Sequence, residues 1–128
     1  MLKEIEEAIS THPEIAECAV VGVQDELKGE LPIAFCVLKD QTQVETTENR
    51  FRIEQQVIGA VVKSLGGIAR PAAIYFPQSL PKTRSGKVLR GTMVAIADSK
   101  PWNLPATIDD PAILDEITTA LQGLGYAK

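Results

Sequence analysis

Apolar positions at the start of the chain recur three and four residues apart, so Leu2, Ile5, Ala8 and Ile9 share one side of a helix with the acids opposite. His12-Pro13 ends that helix, because proline disfavours helical geometry in the residue before it. Two apolar or β-branched runs follow, Glu17 to Val23 and Leu31 to Leu38, each bounded by polar and glycine turn signals; they predict two paired strands. The connection between them, Gln24 to Glu30, contains Gly29, which takes a positive φ without steric cost.

Polar residues from Lys39 to Asn49 predict a loop leading into a second amphipathic helix over Glu48 to Leu65. Its inward positions are expected to be Phe51, Val57, Val61 and Leu65, and Gly66-Gly67 stops it. Pro71 to Pro77 reads as a short third strand, Pro81 to Gly86 as a turn-rich loop, and Val88 to Ala97 as an apolar helix. Pro101, Trp102 and Pro105 give the next stretch a linker-like composition, with Trp102 expected to pack the tail against the rest. Asp110 can cap a last helix, Pro111 suits its first turn, and the helix runs through Leu121. Helices and a few short strands alternate irregularly, which predicts an α+β fold with a body over residues 1–97 and a helical tail over 98–128.

A length of 128 residues allows one core and no second domain. The net charge of −4 argues against a nucleic-acid or anionic-membrane binder. No apolar run reaches the roughly 18–20 residues of a membrane span, and the Glu-rich start lacks the basic and apolar regions of a signal peptide, so a cytoplasmic location is expected. Cys18 and Cys36 lie in apolar runs with no CxxC or Cys/His cluster, which predicts buried free thiols. The mean charge hides a segregation: Gln55 to Ala97 holds six basic residues and no acid, leaving −10 on the remainder.

Four basic residues, Lys82, Arg84, Lys87 and Arg90, crowd the end of that segment beside Thr83, Ser85 and Gly86. Pro81 stiffens the entry, Gly86 lets the backbone turn or approach a ligand, and the hydroxyls can bond anionic oxygens. Lys87 projects a compact positive charge suited to phosphate or carboxylate. A phosphate-cradling P-loop is excluded, since Val88 follows Lys87 and no glycine stands five positions before Gly86.

The string Pro81-Lys82-Thr83-Arg84-Ser85-Gly86-Lys87 resembles the C-terminal signature of the adenylate-forming enzymes, which include acyl-CoA synthetases, peptide-synthetase adenylation domains and luciferases. Upstream, Ile5-Glu6-Glu7-Ala8-Ile9, His12-Pro13, Val20-Val21-Gly22 and Asp25 to Glu30 are similar to the same domain in the same order, so the resemblance covers residues 3–97. Thr107 to Pro111 resembles the short-chain members, propionyl-CoA and acetyl-CoA synthetases, more than a peptide synthetase.

The resemblance implies a three-stranded, mainly antiparallel sheet flanked by helices. It also implies a two-step ligase using ATP, Mg2+ and CoA on a small carboxylate, with a large N-terminal adenylation domain as partner. Lys87 then matches the adenylation lysine, with Lys82, Arg84, Ser85 and Gly86 as nucleotide or substrate contacts and Lys63 as a CoA contact. The short-chain relatives carry an arginine in the second helix where this chain has Val62, beside Lys63. The lysine matching Lys87 is also a target of reversible acylation in this family, which implies a protein acetyltransferase and a deacylase as further partners. The isolated domain is expected to be inactive. A freestanding, non-catalytic nucleotide- or protein-interaction module is the alternative.

The residues themselves allow plainer roles. Lys82 and Arg84 suit either phosphates or acids of a partner domain. His12, before proline at a helix end, suits capping or the surface rather than general-base work, and Asp109 and Asp110 suit a helix cap rather than a metal.

Overall fold

The computed structural model describes residues 2–25, 29–104, 106–123 and 125–126. Helix α1 (Leu2–Ser10) is followed by strands β1 (Ile15–Asp25) and β2 (Gly29–Leu38) and helix α2 (Thr47–Leu65). Strand β3 (Ala73–Tyr75) and helices α3 (Arg90–Ala97) and α4 (Ala112–Gly123) complete the order. Single 3-10 turns at Gln41–Val44 and Gly67–Ala69 flank α2.

The sheet runs β1-β2-β3. Strands β1 and β2 are antiparallel over most of their length, whereas β3 pairs parallel to β2 only from Ala73 to Tyr75, so the sheet is mixed but mainly antiparallel. Both long strands exceed the runs expected from sequence. Gly29 has φ +83, as its connection requires, while 26–28 lie outside the described residues.

Both faces of β1 and β2 are covered, which is why their sequences are nearly continuous apolar runs rather than alternating ones. Val21, Val23, Ile33 and Phe35 face α3 and α4, packing with Met93, Ile96, Ile113 and Ile117. Val20, Ala34, Cys36 and Leu38 face α1 and α2, packing with Ile5, Ile9, Ile53, Val57 and Val61. The result is a thin three-layer sandwich with the sheet in the middle.

Helix termini follow their side chains. Thr46 accepts from the Asn49 N–H at 3.2 Å to start α2, and the Gly66 N–H donates to the Val62 carbonyl at 2.8 Å to close it. Asp110 Oδ1 accepts from the Ala112 N–H at 3.0 Å, the capping role expected for it. His12 bridges the α1 exit: Nδ1 accepts from the Glu14 N–H at 3.1 Å and the ring's Nε2 lies 2.7 Å from Gln56 Oε1.

Two expectations fail. Phe51 does not face inward but is 60% exposed; Ile53 takes the buried position, one turn before Val57. Trp102 does not anchor the tail: it stays 40% exposed, and the anchoring falls to Ile108 and the apolar face of α4, all in the core with Phe35 and Met93.

Candidate functional site

The basic loop is a small hairpin. Lys82 and Val88 are antiparallel partners, the Leu89 N–H donates to the Pro81 carbonyl at 2.8 Å, and the Thr83 N–H to the Lys87 carbonyl at 2.9 Å. The turn closes through the Gly86 N–H and the Thr83 carbonyl at 2.9 Å. Gly86 adopts φ +95, a conformation that strains any residue with a Cβ. Thr83 Oγ1 braces the turn from inside, lying 2.9 Å from Ser85 Oγ and accepting the Lys87 N–H at 3.1 Å. Thr83 and Ser85 therefore shape the loop with the groups that composition would have offered to a ligand.

The four basic residues of this segment divide in two. Lys82 Nζ is drawn to Glu17 Oε1 on β1, so it is committed within this chain. Arg90 forks onto Glu6 of α1, with Nε at 3.0 Å from Oε1 and Nη2 at 2.9 Å from Oε2. Arg84 and Lys87 stand exposed at the hairpin tip, and among the described residues neither side chain has a hydrogen-bond or ion-pair partner. The acids of the N-terminal part thus neutralise the base of the loop and leave its tip positive. Coulomb attraction at so exposed a tip amounts to about 1 kcal/mol per contact in water and rises several-fold once a second surface excludes solvent. Two free cations on a stiff turn can therefore hold an anion well only when something closes over them.

A cavity of about 230 Å³ opens beside the hairpin, lined by Lys82, Thr83, Arg84, Gly86, Asp109 and Ile113 among others. Asp109 and Asp110 in its wall offset Lys82 and Arg84, so the cavity has no net charge to draw an anion, and the tip is the candidate contact. Lys63 is exposed at the end of α2, beside Val62 and ahead of the exposed Ile68, on a different element from the hairpin. No described residues form a group of three or more His, Cys, Asp or Glu side chains able to hold a metal ion. No described helix is long and apolar enough to cross a membrane.

A family model described as AMP-binding enzyme C-terminal domain matches residues 4–87, ending on the lysine at the hairpin tip. The chain belongs to the AMP-binding enzyme C-terminal domain family. As a member, it is 44% identical over 120 residues to the propionate–CoA ligase of Escherichia coli (strain K12), covering 94% of this chain and 19% of that protein. It is also 44% identical over 121 residues to the acetyl-coenzyme A synthetase of Pyrobaculum arsenaticum, covering 94% of this chain and 17% of that one. This AMP-binding C-terminal domain thus spans less than a fifth of the length of the relatives it matches. Among solved structures, the acyl-CoA synthetase of Brucella canis superposes with a TM-score of 0.60 at 36% identity, over 70% of this chain and 16% of that one. The acetoacetyl-CoA synthetase of Streptomyces lividans superposes over 94% of this chain and 18% of that one with a TM-score of 0.73; at 18% identity it supports the fold alone.

Sequence reasoning found the tip but not its scaffolding. Glu6, Glu17, Thr107 and Ile108 hold the hairpin; the two acids were signalled only by the contrast between a Glu-rich start and an acid-free segment, and Thr107 and Ile108 by nothing that pointed to this role.

Proposed function

We propose that this chain acts as the mobile C-terminal domain of an AMP-forming short-chain acyl-CoA ligase, with propionate or acetate as substrate, and that Lys87 is its adenylation lysine. The observation that carries the proposal is the unpartnered Lys87 ammonium beside Arg84 at the tip of a braced hairpin, while Lys82 and Arg90 at its base are paired within the chain. The propionate–CoA ligase and acetyl-coenzyme A synthetase relatives support the substrate class.

In the first half-reaction a carboxylate oxygen attacks the α-phosphorus of ATP, the bond to the bridging oxygen of pyrophosphate breaks, and acyl-adenylate forms. Negative charge is then shared between nucleophile and phosphate, and a compact ammonium brought to those oxygens stabilises it. Arg84 adds charge at the same tip, while Ser85 and Gly86 give the turn its shape. In the second half-reaction the domain rotates against a large N-terminal adenylation domain and withdraws Lys87. The CoA thiol then loses its proton, its sulfur attacks the acyl carbonyl, and AMP leaves. Lys63 is assigned to the CoA nucleotide phosphate. No described side-chain set here fits Mg2+, and none of the steps given to this chain runs through it.

The exposed ε-amine of Lys87 also suits acylation, which would remove the charge and stop the first half-reaction; an acetyltransferase and a deacylase would be the partners. We propose a cytoplasmic location for the chain. Replacement of Lys87 by Ala in the whole ligase is expected to abolish adenylate formation, read as pyrophosphate exchange, and to spare thioester formation from supplied acyl-adenylate. Equal loss of both halves would overturn the role. The isolated chain is expected to form no acyl-CoA.

A further inference from the structure

The hairpin does not stand alone. Its entry arm is paired with a segment 23 to 27 positions farther along the chain, which lies beyond the region the family model covers. The Arg84 N–H donates to the Thr107 carbonyl at 2.8 Å, the Asp109 N–H donates to the Lys82 carbonyl at 2.9 Å, and Thr83 and Ile108 are antiparallel partners between them. Residues 107–109 thereby add a short third strand to the entry arm of the hairpin.

That strand is anchored at its middle and just past its C-terminal end. The Ile108 side chain is 5% exposed and belongs to the core cluster that contains Leu80, Phe35 and Met93. Immediately after it, Asp110 caps α4, whose Ile113, Leu114, Ile117 and Leu121 are buried in the same cluster. A two-stranded hairpin this short is marginal in water by itself, and three strands with an apolar anchor are the usual minimum for a persistent one. Both backbone bonds fall on Lys82 and Arg84, so they fix the entry arm that sets the direction of the tip.

We infer that residues 107–109 are a strap that positions Lys87, so that the tail serves adenylation without touching substrate. The inference rests on the role proposed above for Lys87. A misplacement of about 1 Å in a positioned group can cost about a hundredfold in rate, so a loosened tip should be felt in the half-reaction that uses it. The half-reaction from which Lys87 is withdrawn should be indifferent.

Asp109→Pro deletes the N–H that bonds Lys82, and it asks Ile108 to remain extended, which its strand pairing already requires. Asp109→Ala removes the same carboxylate and keeps the N–H, so it is the control. In the whole ligase, Asp109→Pro is expected to slow pyrophosphate exchange about tenfold relative to Asp109→Ala, with thioester formation from supplied acyl-adenylate unchanged within about twofold. In this chain, amide exchange at Arg84 is expected to speed up about tenfold in Asp109→Pro only.

Equal exchange rates in the two variants, or equal loss of both half-reactions, would overturn the strap. Lys87→Ala is run alongside. If it blocks adenylation while Asp109→Pro behaves as Asp109→Ala, the strap alone falls; if it leaves adenylation intact, the role of Lys87 and the strap fall together. Should Asp109→Pro lose cooperative thermal unfolding, Ile108→Ala, which loosens the anchor, replaces it with the same expected split and the same overturning result.

Discussion

Glu6 of α1 holds both arms of Arg90, the first residue of α3, although 84 positions separate them. The same carboxylate accepts the Val20 N–H of β1 at 2.8 Å through Oε1. One acid therefore fastens the first helix, the edge strand and the start of the helix that follows the signature hairpin. The exit of the hairpin is fixed by this contact, as its entry arm is fixed by Lys82 on Glu17.

The two partners are not energetically equivalent. Arg90 keeps about half of its side chain in solvent, whereas Glu6 is 18% exposed and serves the N–H of the buried Val20. Removing Arg90 loses a partly exposed ion pair, about 0.5–1 kcal/mol. Removing Glu6 loses that pair and orphans a backbone donor, about 2 kcal/mol in total. Urea unfolding of Glu6→Ala and Arg90→Ala is expected to show the larger loss for Glu6→Ala; equal losses would mean that Val20 finds another acceptor.

On α2, the buried face runs through Ile53, Val57 and Val61, and Phe51 lies outside it. Ile53→Ala is expected to cost about 3 kcal/mol, through lost burial and the cavity left behind. Phe51→Ser should change stability by no more than about 0.5 kcal/mol, as an exposed substitution. Denaturation midpoints of the two variants decide this directly, and a large loss in Phe51→Ser would restore the inward assignment.

Cys18 and Cys36 face each other as direct partners across β1 and β2; both are free thiols, as their sequence context indicates, but only Cys36 is buried, Cys18 on the edge strand being half-buried. A hydrogen bond with Cys18, followed by burial, pushes the Cys36 thiol far above its ordinary value of 9.0. The folded chain then keeps a proton that the unfolded chain releases above that value. Stability tied to this group is therefore intact below about pH 9 and falls above it, by about 1.4 kcal/mol for each pH unit. Urea unfolding at about pH 8 and about pH 10 should show this decline in the native chain and a correspondingly smaller one in Cys36→Val. Parallel declines in both would assign the alkaline loss to other groups.

The elements were legible where local periodicity and a stop signal coincide, as in α1 with His12-Pro13 and α2 with Gly66-Gly67. The positive φ of Gly29 and the cap at Asp110 were legible too, because each rests on one residue's own chemistry. Phe51 misled through its size: it sits six residues before Val57, about 120° away around a helix, while Ile53 sits on the line. The tip of the site was legible as a string of residues. Its support was not, because Glu6 with Arg90, Glu17 with Lys82 and Thr107 with Arg84 are contacts between distant positions that carry no periodic signal.

A sheet buried on both faces also separates what lies on either side of it. Ile53 and Ile117 belong to different clusters on opposite faces of the strands, so the apolar positions of one side can be repacked with little memory of the other. Provided Glu6 stays to hold Arg90, the side bearing the hairpin and its strap is free to stay fixed while the apolar faces of α1 and α2 drift in sequence. Modularity of that kind lets a small domain vary one face while the geometry presented by the other stays constant.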